Sequence, residues 1–181
     1  MSIVRLITLD DAPALARLAR ENRDFLAPWE PLRGEHWFTA DGQCEAVAKA
    51  LAEHARGTGL PYVILDDSKH VVGRVTLNGI TRGALQSCSV GYWVSRHANG
   101  RGLATTALAA LVRIAFDDLG LHRVQAEALP HNLASRQVLE RNGFVQFGMA
   151  PQYLRLAGRW QDCLMFQRLN AGWEDQSLAT A

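Results

Sequence analysis

The sequence predicts a single α+β domain: a mixed, mostly antiparallel sheet with helices on both faces. Three observations carry that prediction. Strand-like and helical apolar patterns interleave in the order β-α-α-β-β-β-α-β-α-β-β. One strand-helix-strand passage in the second half sets two strands in parallel, whereas short turns elsewhere join antiparallel neighbours. And 181 residues, 48% of them hydrophobic, can bury one core without disulfide or metal staples.

The first strand is the apolar run over residues 3–7. Thr8, followed three residues later by Asp11 with Pro13 close behind, marks a helix start, and that helix runs to about Arg20. Residues 22–42 set Phe25, Trp29, Trp37 and Phe38 among Pro28, Pro31, Gly34 and Gly42. So aromatic a segment packs against something rather than serving as a plain linker. From Gln43, the residues Cys44, Val47, Ala48, Leu51 and Ala55 share one helical face, and Gly57 follows as a C-cap. Residues 60–65 and 70–77 form an antiparallel hairpin about Asp66-Asp67-Ser68-Lys69, and a third strand over residues 88–94 follows a turn at Gly83. Ala104, Ala107, Leu108, Leu111 and Ala115 are again helical in period and stop at Gly120, after which Val124, Ala126 and Ala128 alternate as a strand. A short helix over residues 133–142 ends at Gly143, and residues 144–156 and 160–169 make a last hairpin about Gly158. The domain covers residues 1–173, and the polar stretch 174–181 is expected to be a disordered tail.

A formal charge of +1 offers little general attraction for nucleic acid or an anionic membrane, so neither is expected as a partner. Cys44, Cys88 and Cys163 are odd in number and widely spaced, which points to no disulfide framework or metal site and fits a reducing cytoplasm. No secretory n-region and h-region pattern opens the chain, and no apolar run is long enough to span a bilayer. The chemistry must lie in local motifs.

The most informative stretch is Asn99-Gly100-Arg101-Gly102-Leu103-Ala104-Thr105, where a strand runs into a Gly-rich turn that opens a helix. Unpaired backbone N–H groups at a helix N-terminus attract anions, and glycine lets a phosphate come close. A tight turn with close helix-sheet packing would ask for the same glycines. A dinucleotide fingerprint from Gly100 would need Gly or Ala where Thr105 stands, and no P-loop, Gly-x-Ser-x-Gly elbow or His-x-x-x-His spacing occurs. Hydride transfer, NTP hydrolysis, serine hydrolysis and zinc hydrolysis fall behind accordingly. A second stretch begins at Asn132, where a strand ends and a helix starts, with Ser135 in that helix's first turn. In isolation, Asn132 is an ordinary N-cap and Ser135 a solvated hydroxyl.

Taken together and in order, these segments resemble the GNAT superfamily of acetyl-CoA-dependent N-acetyltransferases, and within it the ribosomal-protein N-terminal branch, especially its alanine-specific group. Asn99-Gly100-Arg101-Gly102-Leu103-Ala104 is similar to that family's coenzyme loop, with Asn99 where Gln or Arg is usual. Asn132-x-x-Ser135 followed by Val138-Leu139-Glu140-Arg141-Asn142-Gly143-Phe144 is similar to its second half. The likeness extends to Phe25-Leu26-Ala27-Pro28-Trp29-Glu30-Pro31, Gly91-Tyr92-Trp93 and Gly158-Arg159-Trp160-Gln161-Asp162, roughly residues 3 to 170.

The resemblance implies an acyl-CoA N-acyltransferase fold in which central parallel strands splay beside the coenzyme loop. It implies acetyl-CoA as acyl donor and no metal. Trp93, Val94, Asn99, Gly100, Arg101, Gly102, Leu103, Ala104, Thr105, Asn132 and Ser135 would bind the coenzyme. The pantetheine arm would pair with the strand edge from Tyr92 to Val94, Asn132 would fix that arm, and Ser135 would protonate the CoA thiolate. Trp29, Glu30, Tyr92 and Trp160 would face the acceptor. Many relatives carry Glu where this chain has Ser89, so no base carries over from there; the remaining acids are Glu30, Glu35 and Glu127, with water and backbone carbonyls as the alternative. Glu30, in a Pro-bounded loop on the acceptor side, is the first choice as a catalytic acid-base group. An N-terminal α-amine, with a pKa near 8 against about 10.4 for lysine, demands less of a base. The expected acceptor is a protein N-terminus, Ala or Ser on a ribosomal protein. A small amine and a non-catalytic acyl-CoA-binding module remain as alternatives, and a monomer or homodimer is expected.

Overall fold

A computed structural model describes residues 3–173; the expected tail, 174–181, lies outside them. Seven strands form one sheet: β1 (Val4–Leu6), β2 (Gly59–Leu65), β3 (Val71–Thr81), β4 (Ser87–Val94), β5 (Arg123–Ala128), β6 (Val145–Leu156) and β7 (Arg159–Leu169), in the order β1-β2-β3-β4-β5-β7-β6. Every neighbouring pair is antiparallel except β4 and β5. The β6-β7 hairpin turns at Ala157 and Gly158, with φ of 47° and 80°, the paired left-handed geometry whose twist matches flanking strands.

Among the described residues, five α-helices cover the sheet: α1 (Ala12–Glu21), α2 (Arg23–Leu26), α3 (Ala40–Ala55), α4 (Leu103–Arg113) and α5 (Leu133–Arg141). Leu15 and Leu18 of α1 and Val47 of α3 bury against Val63, Leu65 and Val71 on one face. On the other face Leu108 and Leu111 of α4 and Leu139 of α5 bury against Ile64, Val75, Leu77, Val124 and Phe166. The apolar stripes seen in the sequence are the faces that meet the sheet. Among the described residues, no helix is long and apolar enough to cross a membrane.

The start expected at Thr8 is present, as a short 3₁₀ turn over Leu9–Asp11 that leads into α1. Asp11 accepts hydrogen bonds from the Thr8 N–H at 2.8 Å and from both terminal nitrogens of Arg5 at 2.7 Å. Helix α3 begins at Ala40, three residues before the expected start at Gln43, because the Thr39 hydroxyl accepts the Gly42 N–H at 3.0 Å and caps a first turn that apolar periodicity does not mark. The aromatic segment is partly helical, holding α2 and a 3₁₀ turn over Glu35–Phe38. Strand β3 extends to Thr81, past its expected end at 77, with a register irregularity between Asn78 and Thr81.

One departure from regular pairing positions the site. Strand β4 pairs with β3 as far as Val94, opposite Gly73, and β5 pairs with β7 as far as Ala128, opposite Leu164. Yet β4 and β5 pair with each other only from Ser87-Arg123 to Ser89-Gln125. Beyond that point the two parallel strands part, as the resemblance implied. Their carboxyl ends, where α4 and α5 begin, frame an open wedge, the general location of ligand crevices between parallel strands.

Candidate active site

One wall of the wedge is the turn that opens α4. Gly100 and Gly102 both have φ of 76°, and Gly102 is the N-cap. A Cβ built on either would meet no atom within 4 Å. These glycines therefore provide a left-handed turn with clear space outside it, and close helix-sheet packing does not account for them. The first intrahelical donor is Thr106, whose N–H reaches Gly102 O at 3.0 Å. The N–H groups of Leu103, Ala104 and Thr105 thus face outward at the positive end of α4. Arg101 extends into solvent and pairs with Asp67 at 2.8 Å, while Asn99 is exposed. A buried polar knot holds the turn from behind: Asn22 donates to Ser95 Oγ at 2.9 Å and accepts the Arg96 N–H at 2.8 Å, and Ser95 Oγ lies 2.7 Å from His97 Nδ1.

The opposite wall is α5. Asn132 Oδ1 accepts the Ser135 N–H at 3.0 Å, an N-cap bond, while its Nδ2 has no acceptor among the described residues. Asn132 and Ser135 both line the wedge. The Tyr92 hydroxyl reaches across from β4 to lie 3.1 Å from Ser135 Oγ. Burial pushes this phenol up to about 12, against a smaller pull from its bond to Ser135, so it keeps its proton at neutral pH. Along β4, Val90 to Val94 have no partner on the β5 side. That bare edge can take an extended ligand as an extra strand.

The wedge opens into a cavity of about 370 Å³. Trp29, Glu30, Tyr92, Trp93 and Glu127 line it together with Asn132 and Ser135, while Val94 and residues 99–105 do not. The loop that carries Trp29 and Glu30 closes over one end: the Trp29 ring lies 5.4 Å from His131, and Glu30 O accepts the Ala157 N–H at 2.8 Å. That bond joins the two loop regions, 22–42 and 150–162, on the acceptor side. Glu30 and Glu127 differ in electrostatic setting. Burial raises the Glu30 carboxyl on balance, with Arg33 and Arg74 offsetting only part of the rise; Arg33 Nε lies 3.9 Å from Glu30 Oε2. Burial also raises Glu127, which has no cation to offset it.

On the acceptor side, two expected residues stay outside. Trp160 is 60% exposed on the hairpin and does not line the cavity, and Glu35 is held in a solvent-facing pair with Arg23. Two residues that the sequence did not single out, Arg33 and Arg74, sit inside. The only signal for Arg74 was a charge in the middle of an otherwise apolar strand pattern.

An anion-accepting turn, a bare strand edge, a hydroxyl pair and an uncompensated carboxylate around one wedge are what transfer of an acyl group from a phosphate-bearing carrier to an amine requires. Comparison with known proteins agrees. The chain matches the family model for an acetyltransferase (GNAT) domain over residues 2–145. It is 33% identical over 172 residues to the ribosomal protein uS5-alanine N-acetyltransferase of Escherichia coli (strain K12), covering 94% of this chain and 89% of the relative. The crystal structure of a ribosomal-protein-S5-alanine acetyltransferase from Vibrio fischeri superposes with a TM-score of 0.90 at 32% identity, covering 95% of this chain and 94% of that one. The Mycobacterium smegmatis RimJ complex with CoA-disulfide superposes with a TM-score of 0.89 at 32% identity, over 95% and 83% of the two chains.

Proposed function

The chain belongs to the GNAT acetyltransferase family, and from that premise we propose that it transfers acetyl from acetyl-CoA to the N-terminal α-amine of a ribosomal protein that begins with Ala or Ser, in the cytoplasm. The observation that carries this reading is the parting of β4 and β5 between the open α4 turn on one side and a cavity containing Glu127 on the other. The relatives named above, which cover nearly the whole chain, support the acceptor class.

Acetyl-CoA supplies the activated thioester. The N–H groups of Leu103, Ala104 and Thr105 hold its pyrophosphate, with the space beside Gly100 and Gly102 left clear for the phosphate oxygens. The β4 edge from Tyr92 to Val94 pairs with the pantetheine arm, and Asn132 Nδ2 donates to it. A β4 backbone N–H donates to the thioester oxygen, where negative charge develops. Ser135 Oγ gives its proton to the departing sulfur and takes one back from solvent. A CoA thiolate is a good leaving group, so this proton transfer need only be modest.

On the acceptor side, Glu127 takes the proton from the attacking amine and releases it to solvent. Burial has already raised its proton affinity and no cation competes for its charge. Glu30, the sequence's first choice, is also raised by burial, but Arg33 and Arg74 hold its charge in part, and it shapes the acceptor side. The test uses acetyl-CoA with peptides beginning with Ala, Ser or Met, with an N-blocked lysine peptide and with free polyamines, following CoA release and acceptor mass. Acetylation confined to the Ala and Ser peptides is expected. Acetylation of the lysine peptide alone, or of free polyamines alone, overturns the acceptor assignment.

A further inference from the structure

Arg74 stands in the middle of β3 among the buried Val72, Val75 and Leu77. It lines the acceptor cavity and also an adjoining pocket of about 160 Å³ beneath Trp37 and Phe38. A guanidinium cannot shed its charge to escape burial, so a cation here needs an anion opposite it. Glu30 and Glu127 are the only carboxylates among the residues lining the two cavities. Glu30 is shared between Arg74 and Arg33. Two guanidiniums against one carboxylate leave a positive charge over. Arg33 stacks on the Trp37 ring, 3.9 Å from its centroid, whereas the Arg74 guanidinium makes no hydrogen bond to any described residue. Its donors are the ones left for a ligand.

The cavity thus carries an unmatched cation at Arg74 and an unmatched anion at Glu127. The strand register sets their spacing. Arg74 pairs with Trp93 and Thr76 with Gly91, while Gln125 pairs with Ser89, which puts Glu127 level with Gly91. The two Cα atoms are therefore two strands apart and two residues apart along the strands, about 12 Å by ordinary sheet spacings and more once β4 and β5 splay. A free amino acid holds its ammonium and carboxylate one carbon apart, so it could meet both groups only if the two side chains converged across that gap. An extended peptide advances about 3.3 Å per residue and spans it without such convergence.

Building on the N-terminal acceptor assignment, we infer that Arg74, with Arg33 beside it, forms a carboxylate subsite that reads an acidic side chain two or three residues beyond the acetylated amine. The favoured acceptor is an N-terminal segment with Asp or Glu at its third or fourth position. Bidentate pairing with a guanidinium distinguishes that carboxylate from its amide.

The experiment compares Ala-started hexapeptides identical except for Glu or Gln at the second, third or fourth position, together with free glutamate and a Gly-Gly-Glu tripeptide. With wild-type enzyme, Glu at position three or four raises kcat/KM at least about tenfold over Gln, mainly through KM. In Arg74→Met the Glu and Gln peptides become equal, and Arg74→Lys recovers part of the difference. The tripeptide reacting while free glutamate does not also supports the subsite, since its terminal carboxylate reaches equally far. If the wild-type enzyme acetylates Glu and Gln peptides alike, the subsite is refuted and the N-terminal assignment stands. If free glutamate outpaces every peptide, the subsite's spacing is refuted. If no peptide is acetylated, the N-terminal assignment falls and takes the subsite with it. The wild-type comparison decides alone should the Arg74 variants fail to fold.

Discussion

The Tyr92 hydroxyl bridges two elements that sequence separates by more than forty residues: it donates to the Ser135 carbonyl oxygen at 3.1 Å and lies 3.1 Å from Ser135 Oγ. A phenol has one proton. With that proton on the carbonyl, the Ser135 hydroxyl either donates to the phenol oxygen or turns toward a sulfur in the wedge. Tyr92 thereby orients Ser135, and it ties the β4 edge to α5 at the point where acyl transfer would occur.

Ser135→Ala is expected to lower kcat by about a hundredfold, the low end for general acid catalysis because the thiolate leaves readily. The acetyl-CoA Kd should change little. Tyr92→Phe should lower kcat by less, since it removes orientation and leaves the donor. Steady-state kinetics with calorimetric Kd values checks both, and an unaffected kcat in Ser135→Ala removes the serine from the mechanism.

Gly102 has φ of 76° with nothing near its missing Cβ. Gly102→Ala is therefore expected to cost about 1 kcal/mol from left-handed strain alone. Gly102→Asp adds a negative charge where the phosphates would lie. The measurement is the rise in Tm on adding acetyl-CoA, present in the wild type through ligand linkage and absent in Gly102→Asp.

Glu127 acts as a base only when ionised, and burial raises its carboxyl above the usual range. Activity should climb as pH rises through that raised value, an acid limb displaced upward from that of an ordinary glutamate. In Glu127→Gln this limb disappears, leaving only the limb of the amine itself, and kcat/KM falls about a hundredfold. A pH profile unchanged in Glu127→Gln excludes it as the base.

Asn22 is 2% exposed and serves the Leu18 carbonyl, Ser95 and the Arg96 N–H at once. Asn22→Ala strands those groups without partners, and a loss of about 2 kcal/mol in urea unfolding is expected. Because this knot holds the turn that precedes α4, acetyl-CoA affinity should fall as well.

Burial by itself would raise the Asp11 carboxyl, but hydrogen bonds from Arg5 and Thr8 outweigh it and hold it below 3.8. A depressed carboxylate adds stability that is fully present above its unfolded value and is lost as pH falls through the folded one. Asp11→Asn should cost about 1 kcal/mol at neutral pH, modest because Arg5 is half exposed. The difference from wild type should vanish in strong acid, as followed by urea midpoints across pH.

The sequence by itself determined the order of the elements, the faces that enter the core, the coenzyme turn at Gly100 and Gly102, and the Asn132-Ser135 pair. These are local properties: an apolar period, a positive φ that favours glycine, and a cap bond three residues long. It did not mark the start of α3 at Ala40, because a cap carries no apolar period. Only the tertiary structure decided which acid stands free. Glu30 and Glu127 are equivalent as residues, and what separates them is Arg33 from the same loop and Arg74 from a strand far along the chain. Tyr92 meeting Ser135, Trp160 facing solvent and Arg74 entering the acceptor cavity are likewise settled by where β4 and β5 part. Desolvation and charge balance act between groups that only folding brings together, so no local pattern records them.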